Sequence, residues 1–128
     1  MKTKTASLLL GIIFLAAGLL GFVPNPIIGM HDAIFHADTV HSIVHIVSGL
    51  FFLFFALAMP EKAHVFMMAF GAIYFLIGVL GMINIGSEGT TQLLGFLHVN
   101  GADNYFHMGM GAISFLAGFL RPKSRVVA

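Results

Sequence analysis

The chain reads as an all-α membrane protein, with four transmembrane helices formed by two tandem two-helix repeats. Three observations lead there: an apolar composition that water does not suit, four apolar runs of spanning length, and a second half that repeats the first. Of the 128 residues, 59% are hydrophobic and 9% charged. A soluble domain carries about a quarter charged residues. At this size its surface is too large for its volume to hide so many apolar side chains, so lipid is the matching solvent.

The apolar runs cover residues 6–23, 40–59, 65–84 and 105–120. Each is near the length that crosses the hydrocarbon core. Pro24, Pro60 and Pro122 follow the first, second and fourth runs, where a missing N–H ends a helix, and Asn84-Ile85-Gly86 closes the third. The opening, with Lys2 and Lys4 before an apolar stretch, imitates a secretory signal. No A-x-A-like cleavage site follows it, and the segment recurs later in the chain, so it reads as a retained helix.

The six basic residues are Lys2, Lys4, Lys62, Arg121, Lys123 and Arg125. With four spans, all six fall on one side. The positive-inside rule makes that side cytoplasmic, which predicts a multi-pass protein of the cell membrane with both termini inside. Residues 24–39 and 85–104 become outward loops carrying Asp32, Asp38, Glu88, Asp103, His31, His36 and His98. A net charge of +1 offers no field for nucleic acid. The absence of cysteine excludes disulfides, thiolate sites and covalent haem. The lipid bilayer is the expected partner, and a homo-oligomer or an unknown membrane partner stays open.

The repeat organises a single domain, 1–128, into copies at about 6–59 and 65–120. Gly11, Gly18 and Gly21 match Gly71, Gly78 and Gly81, 60 positions on. In the second helix of each copy the offset is 62: His36 pairs with His98, Asp38 with Asn100, His41 with Asp103, His45 with His107 and Gly49 with Gly111. Two copies in one orientation imply a pseudo-twofold axis along the membrane normal. The glycines are expected to let helices approach closely.

The polar residues carry the functional expectation. His41 and His45 are four apart, so they share a helix face, and Asp103 and His107 repeat that spacing. The axis would bring the four together near the outer end of the bundle. Three imidazoles and a carboxylate suit zinc, iron or copper. His36, Asp38, His98 and Asn100 are accessory candidates. A second reading is a hydrogen-bonded lock in a structural or accessory subunit, with Asp38, Asn100 or Asp103 merely capping helices. A third is b-type haem held axially by His45 and His107 for electron transfer. Met108 and Met110, beside His107, are expected to pack rather than bind copper. His64, beside Lys62, reads as solvated. No separate general base or nucleophile accompanies the cluster, so no reaction is assigned.

The stretches LGIIFLAAGLLGFVP, DTVHSIVHIVSG and NGADNYFHMGMG resemble a bacterial family, domain of unknown function 4383, over nearly the whole chain. The resemblance implies a small four-helix membrane protein with the pattern V-N-x-x-H-N-x-x-H-x-x-x-G on helix 2 and V-N-x-x-D-N-x-x-H-x-x-x-G on helix 4. These land on His41, His45 and Gly49, then on Asn100, Asp103, Asn104, His107 and Gly111. The chain departs from the pattern at Asp38 and Ser42, where the family tends to have Asn. No activity comes with the resemblance.

Overall fold

The structure, a computed structural model, describes residues 2–30 and 32–121. His31, Pro122, Lys123 and Arg125, all used in the sequence reading, lie outside the described residues. Four helices make up most of the described chain: α1 (Thr3–Leu20), α2 (Thr39–Ala58), α3 (Ala63–Ile85) and α4 (Gly101–Phe119). Two short strands, β1 (Ile28–Gly29) and β2 (Phe35–His36), lie between α1 and α2; β3 (Thr90–Leu93) and β4 (Leu97–Asn100) lie between α3 and α4. α1, α2 and the stretch Pro60–Ile85 are long and apolar enough to cross a membrane. α4 does not reach that measure, because its first turns hold Asp103, Asn104 and His107.

The helix ends follow from local chemistry. The Asp38 side chain accepts from the His41 backbone N–H at 2.9 Å and starts α2. At α4 the Asn100 side chain accepts from Asp103 N–H at 3.0 Å, while Asp103 Oδ2 accepts from Asn100 N–H at 2.8 Å. That is a reciprocal capping box. α2 stops at Ala58 before Pro60, and α3 stops at Ile85 before Gly86, whose φ of 63° suits only glycine well.

α1 packs chiefly on α2, and α3 on α4. Both pairs run antiparallel, since Gly11 meets Gly49 while Gly18 meets Ile46, and Gly71 meets Gly111 while Gly78 meets Met108. At Gly49 a Cβ would stand 2.7 Å from the Leu15 backbone nitrogen and 2.8 Å from the Gly11 carbonyl oxygen. A side chain there would force the backbones apart. Ser7 Oγ donates to the Phe52 carbonyl at 2.7 Å, and Ser114 Oγ to the Met67 carbonyl at 2.8 Å, tying each pair again.

Phe14 centres the core, stacked on Phe52 at 5.4 Å and edge-on to Phe70 and Tyr74 at 5.3 and 5.1 Å. Met110 is buried in this cluster, so it packs as expected. The polarity of the bundle is inverted relative to a soluble one. Leu57, Ile73, Leu76, Ile83 and Leu116 face outward, whereas Ser7, His41, Ser42, His45, Asp103, Asn104, His107 and Ser114 are buried. Lipid makes that arrangement favourable, since polar groups find partners only inside the protein.

The segments between the helices of each pair carry short strands. β1 pairs with β2 in parallel, aligning Ile28 with Phe35. β3 and β4 form an antiparallel hairpin from Thr90↔Asn100 to Leu93↔Leu97. Leu94 and Gly95 turn it with φ of 55° and 82°. Leu93, Leu97 and Val99 bury against Val44 and Ile77, seating the hairpin on α2 and α3.

Candidate metal centre

His41 and His45 project from one face of α2, and His107 comes from α4 opposite. Each is 3% exposed or less. One ligand nitrogen from each lies within 4.8 Å of the other two. His41 Nε2 and His107 Nε2 are 3.3 Å apart. Two nitrogens about 2.0–2.1 Å from one tetrahedral ion stand roughly 3.3–3.4 Å apart. The His41–His107 pair therefore already has the spacing a shared ion requires.

The tautomers can be read from the partners. His41 Nδ1 lies 2.8 Å from the His98 carbonyl oxygen. A carbonyl only accepts, so Nδ1 carries the proton and Nε2 presents its lone pair to the cluster. His107 Nε2–H is then the donor between the two rings. His45 Nε2 shares a hydrogen bond of 2.9 Å with the Tyr74 hydroxyl. Nδ1 of His45 and Nδ1 of His107 are buried with no hydrogen-bond partner among the described residues. Leaving such atoms orphaned is costly. An ion beside His41 Nε2 would take that lone pair and the free one of His45 Nδ1, and would take His107 Nε2 once its proton had moved to Nδ1 or left.

The surroundings are aromatic. The Tyr74 ring lies 4.7 Å from that of His107, and Phe14 and Phe106 each lie 6.0 Å from His45. Tyr74 is the residue sequence reasoning missed. It sits in a uniformly apolar helix, and its one signal is that the equivalent position in the first copy is Phe14.

Three of the four expected ligands are brought together, and Asp103 is not in that group. Its Oδ2 caps α4 and also accepts the His36 backbone N–H at 3.1 Å, joining β2 to the start of α4. Asp38 caps α2, and Asn100 completes the capping box and donates from Nδ2 to the Ile34 carbonyl at 3.0 Å. His36 and His98 do meet, with Nδ1 to Nε2 at 3.1 Å and rings stacked 5.2 Å apart. They form a second pair beside the triad, linked to it through the His98 carbonyl. His64 and Met108 lie partly buried away from the cluster.

A helical protein with membrane-type helices around a buried three-histidine group is thus the class that fold and site define. The family model for the domain of unknown function DUF4383 matches residues 4–120, and the chain belongs to that family. No curated protein and no solved structure matches it.

Proposed function

We propose that this protein binds one transition-metal ion, zinc, iron or copper, in the membrane through His41, His45 and His107. The observation that carries the reading is the meeting of the three imidazoles in a buried site, with His41 Nε2 and His107 Nε2 at the spacing of two ligands on one ion and His45 Nδ1 lacking any partner among the described residues. Neutral imidazoles suit these ions. The His98 carbonyl and the Tyr74 hydroxyl supply the outer hydrogen bonds that fix ligand orientation in such sites. Asp103 acts as a positioning carboxylate that holds the first turn of the helix bearing His107. When bound, the ion would supply Lewis acidity or redox chemistry.

The architecture belongs to the same reading: four spans, α4 included, in a single domain of two tandem copies. The glycine contacts of each pair, the serine-to-carbonyl bonds and the side-chain caps of α2 and α4 support it. Lys2, Lys4, Lys62 and Arg121 share one end of the bundle, as the antiparallel pairing requires, and that end is assigned to the cytoplasm. The metal centre then lies toward the outer face.

A structural lock is the second reading, favoured by the His41–His107 bond itself. A haem between His45 and His107 would have to displace His41, whose Nε2 stands 3.3 Å from that of His107. The test is metal per chain in purified wild type and His107→Ala, with an absorption spectrum. A stoichiometric metal without a Soret band, lost in the variant, is expected. Wild-type protein that stays metal-free after exposure to zinc, iron and copper would overturn the proposal.

A further inference from the structure

Two clefts reach the histidines from opposite sides of the bundle. One, of about 280 Å³, lies between α1 and α4 under β1 and β2; its walls include Ile13, Ala17 and Phe106, and it touches His45 and Asp103. The other, of about 200 Å³, lies between α2 and α3 under β4; its walls include Ile73, Ile77 and Val44, and it touches His41, His45, Tyr74 and His107. The linings correspond in part. Ile13 and Ala17 match Ile73 and Ile77 at the offset of 60, and His45, Asp103 and Phe106 match His107, His41 and Val44 at 62.

The α1–α4 cleft is the larger, and its chemistry is specific. Ile13 on α1 and Ile27 in the segment before β1, both at its rim, are 45% exposed; α1 is of membrane-spanning character, so the mouth opens to lipid along that helix. The walls are almost wholly apolar. The polar groups are His45 and Asp103, both at least nine-tenths buried, and His45 Nδ1 has no partner among the described residues. No Lys or Arg lines the cleft, so an anionic headgroup would find no counter-charge there. A neutral hydroxyl can donate to a carboxylate or an imidazole and accept in turn.

We infer that the α1–α4 cleft binds a neutral, slim lipid from the bilayer, its chain between Ile13, Ala17 and Phe106 and its hydroxyl at His45 and Asp103. Small-molecule sites have this build, a mostly apolar cavity with a few convergent polar groups. The inference goes beyond metal binding and does not rest on an ion being present: His45 Nδ1 serves either the hydroxyl or an ion, and with an ion bound the hydroxyl keeps Asp103 as its partner. It makes the histidine cluster accessible from the membrane rather than from water.

The test uses the full chain in phosphatidylcholine vesicles, a long-chain alcohol carrying a photoactivatable diazirine, and mapping of the labelled peptides. Saturable labelling of the segments holding Ile13, Ala17 and Phe106 is expected. Unlabelled alcohol should compete about tenfold better than the alkane of equal length, the factor that about one hydrogen bond contributes. Ala17→Phe, which fills the cleft, and Ile13→Trp, which narrows its mouth, should each abolish saturable labelling while metal per chain, measured on the same samples, stays at the wild-type value. Labelling no greater than at the lipid-facing Leu57 and Ile83 would overturn the inference, as would equal competition by the alkane. A metal-free protein that still labels saturably would defeat the metal reading and leave this one standing.

Discussion

The imidazole of His41 donates its Nδ1–H to the backbone carbonyl of His98 across 2.8 Å. A residue of the outer hairpin thereby fixes the tautomer of a residue in α2, and the lone pair of Nε2 is held toward His107. Coordination by three imidazoles requires a lone pair from each, so protons compete with the ion for those atoms. Metal occupancy should be full near pH 8 and fall on acidification, as protons take the ligand lone pairs. Equilibrium dialysis of the detergent-solubilised protein against zinc between pH 8 and 5 measures it. Occupancy unchanged by His107→Ala at every pH would argue against histidine ligands.

Tyr74→Phe removes one oxygen and leaves the ring against His107 and Phe70 in place. It also frees His45 Nε2. Outer partners of metal-bound histidines are typically worth about 10–100-fold in affinity. Metal affinity should drop by about that range, with stability reduced by roughly 1 kcal/mol. Competition with a chromophoric chelator gives the affinity and thermal melting the stability. Equal affinity for the two proteins would remove Tyr74 from the site.

The lines of the fold that depend on solvent and period were legible in the sequence. The four helices, their stops at Pro60 and Gly86, and the face shared by His41 and His45 all follow from apolar runs, breakers and a four-residue spacing. The contact between α2 and α4 was legible only through the repeat, which placed His107 opposite His45. The partner of Asp103 was not. A carboxylate at the start of a helix serves equally as a ligand or a cap, and the approach of β2, which brings the His36 N–H to Oδ2, is a tertiary contact that the local sequence does not announce. The hairpin was missed because its alternation, Thr91, Leu93, Leu97, Val99, is short and merges into the apolar background. Tyr74 was missed for the same reason.

Glycine positions offer an internal control on packing. Gly49→Ala places a methyl group 2.7 Å from the Leu15 nitrogen and should cost about 1–3 kcal/mol, the usual range for overpacking. Gly109 lies in α4 with nothing within 4 Å of its Cβ position. Gly109→Ala should be neutral or stabilise by up to about 1 kcal/mol through helix propensity. Thermal melting in detergent compares the two, and equal melting temperatures would contradict the close approach of α1 and α2.

Both termini should be cytoplasmic. Lys2 and Lys4 precede α1, Lys62 lies in the turn before α3, and Arg121 follows α4. Antiparallel packing gathers them at one end, where the positive-inside rule acts. An epitope tag at either terminus should resist external protease in sealed cells, while one inserted between Glu88 and Thr90 should be cut. Digestion of a terminal tag from outside would reverse the orientation and put the metal site on the inner face.

Asp103→Ala separates a carboxylate that binds metal from one that holds the helix. The wild-type Oδ2 accepts N–H groups from Asn100 and His36. Without it two backbone donors lose their acceptor at the start of α4, and each orphaned group costs about 1–3 kcal/mol if it stays buried. A positioning role predicts a clear loss of melting temperature, together with one metal per chain once zinc is supplied in excess, because all three imidazoles remain. Asp103→Asn keeps a side-chain acceptor and should recover most of the stability, since an amide oxygen can take the same N–H groups. A ligand role predicts the opposite pattern, with both variants losing metal alike and Asp103→Asn no better than Asp103→Ala. Measuring metal per chain and melting temperature on both variants decides between them. Stable Asp103→Asn protein with full zinc occupancy would leave His41, His45 and His107 as the ligand set.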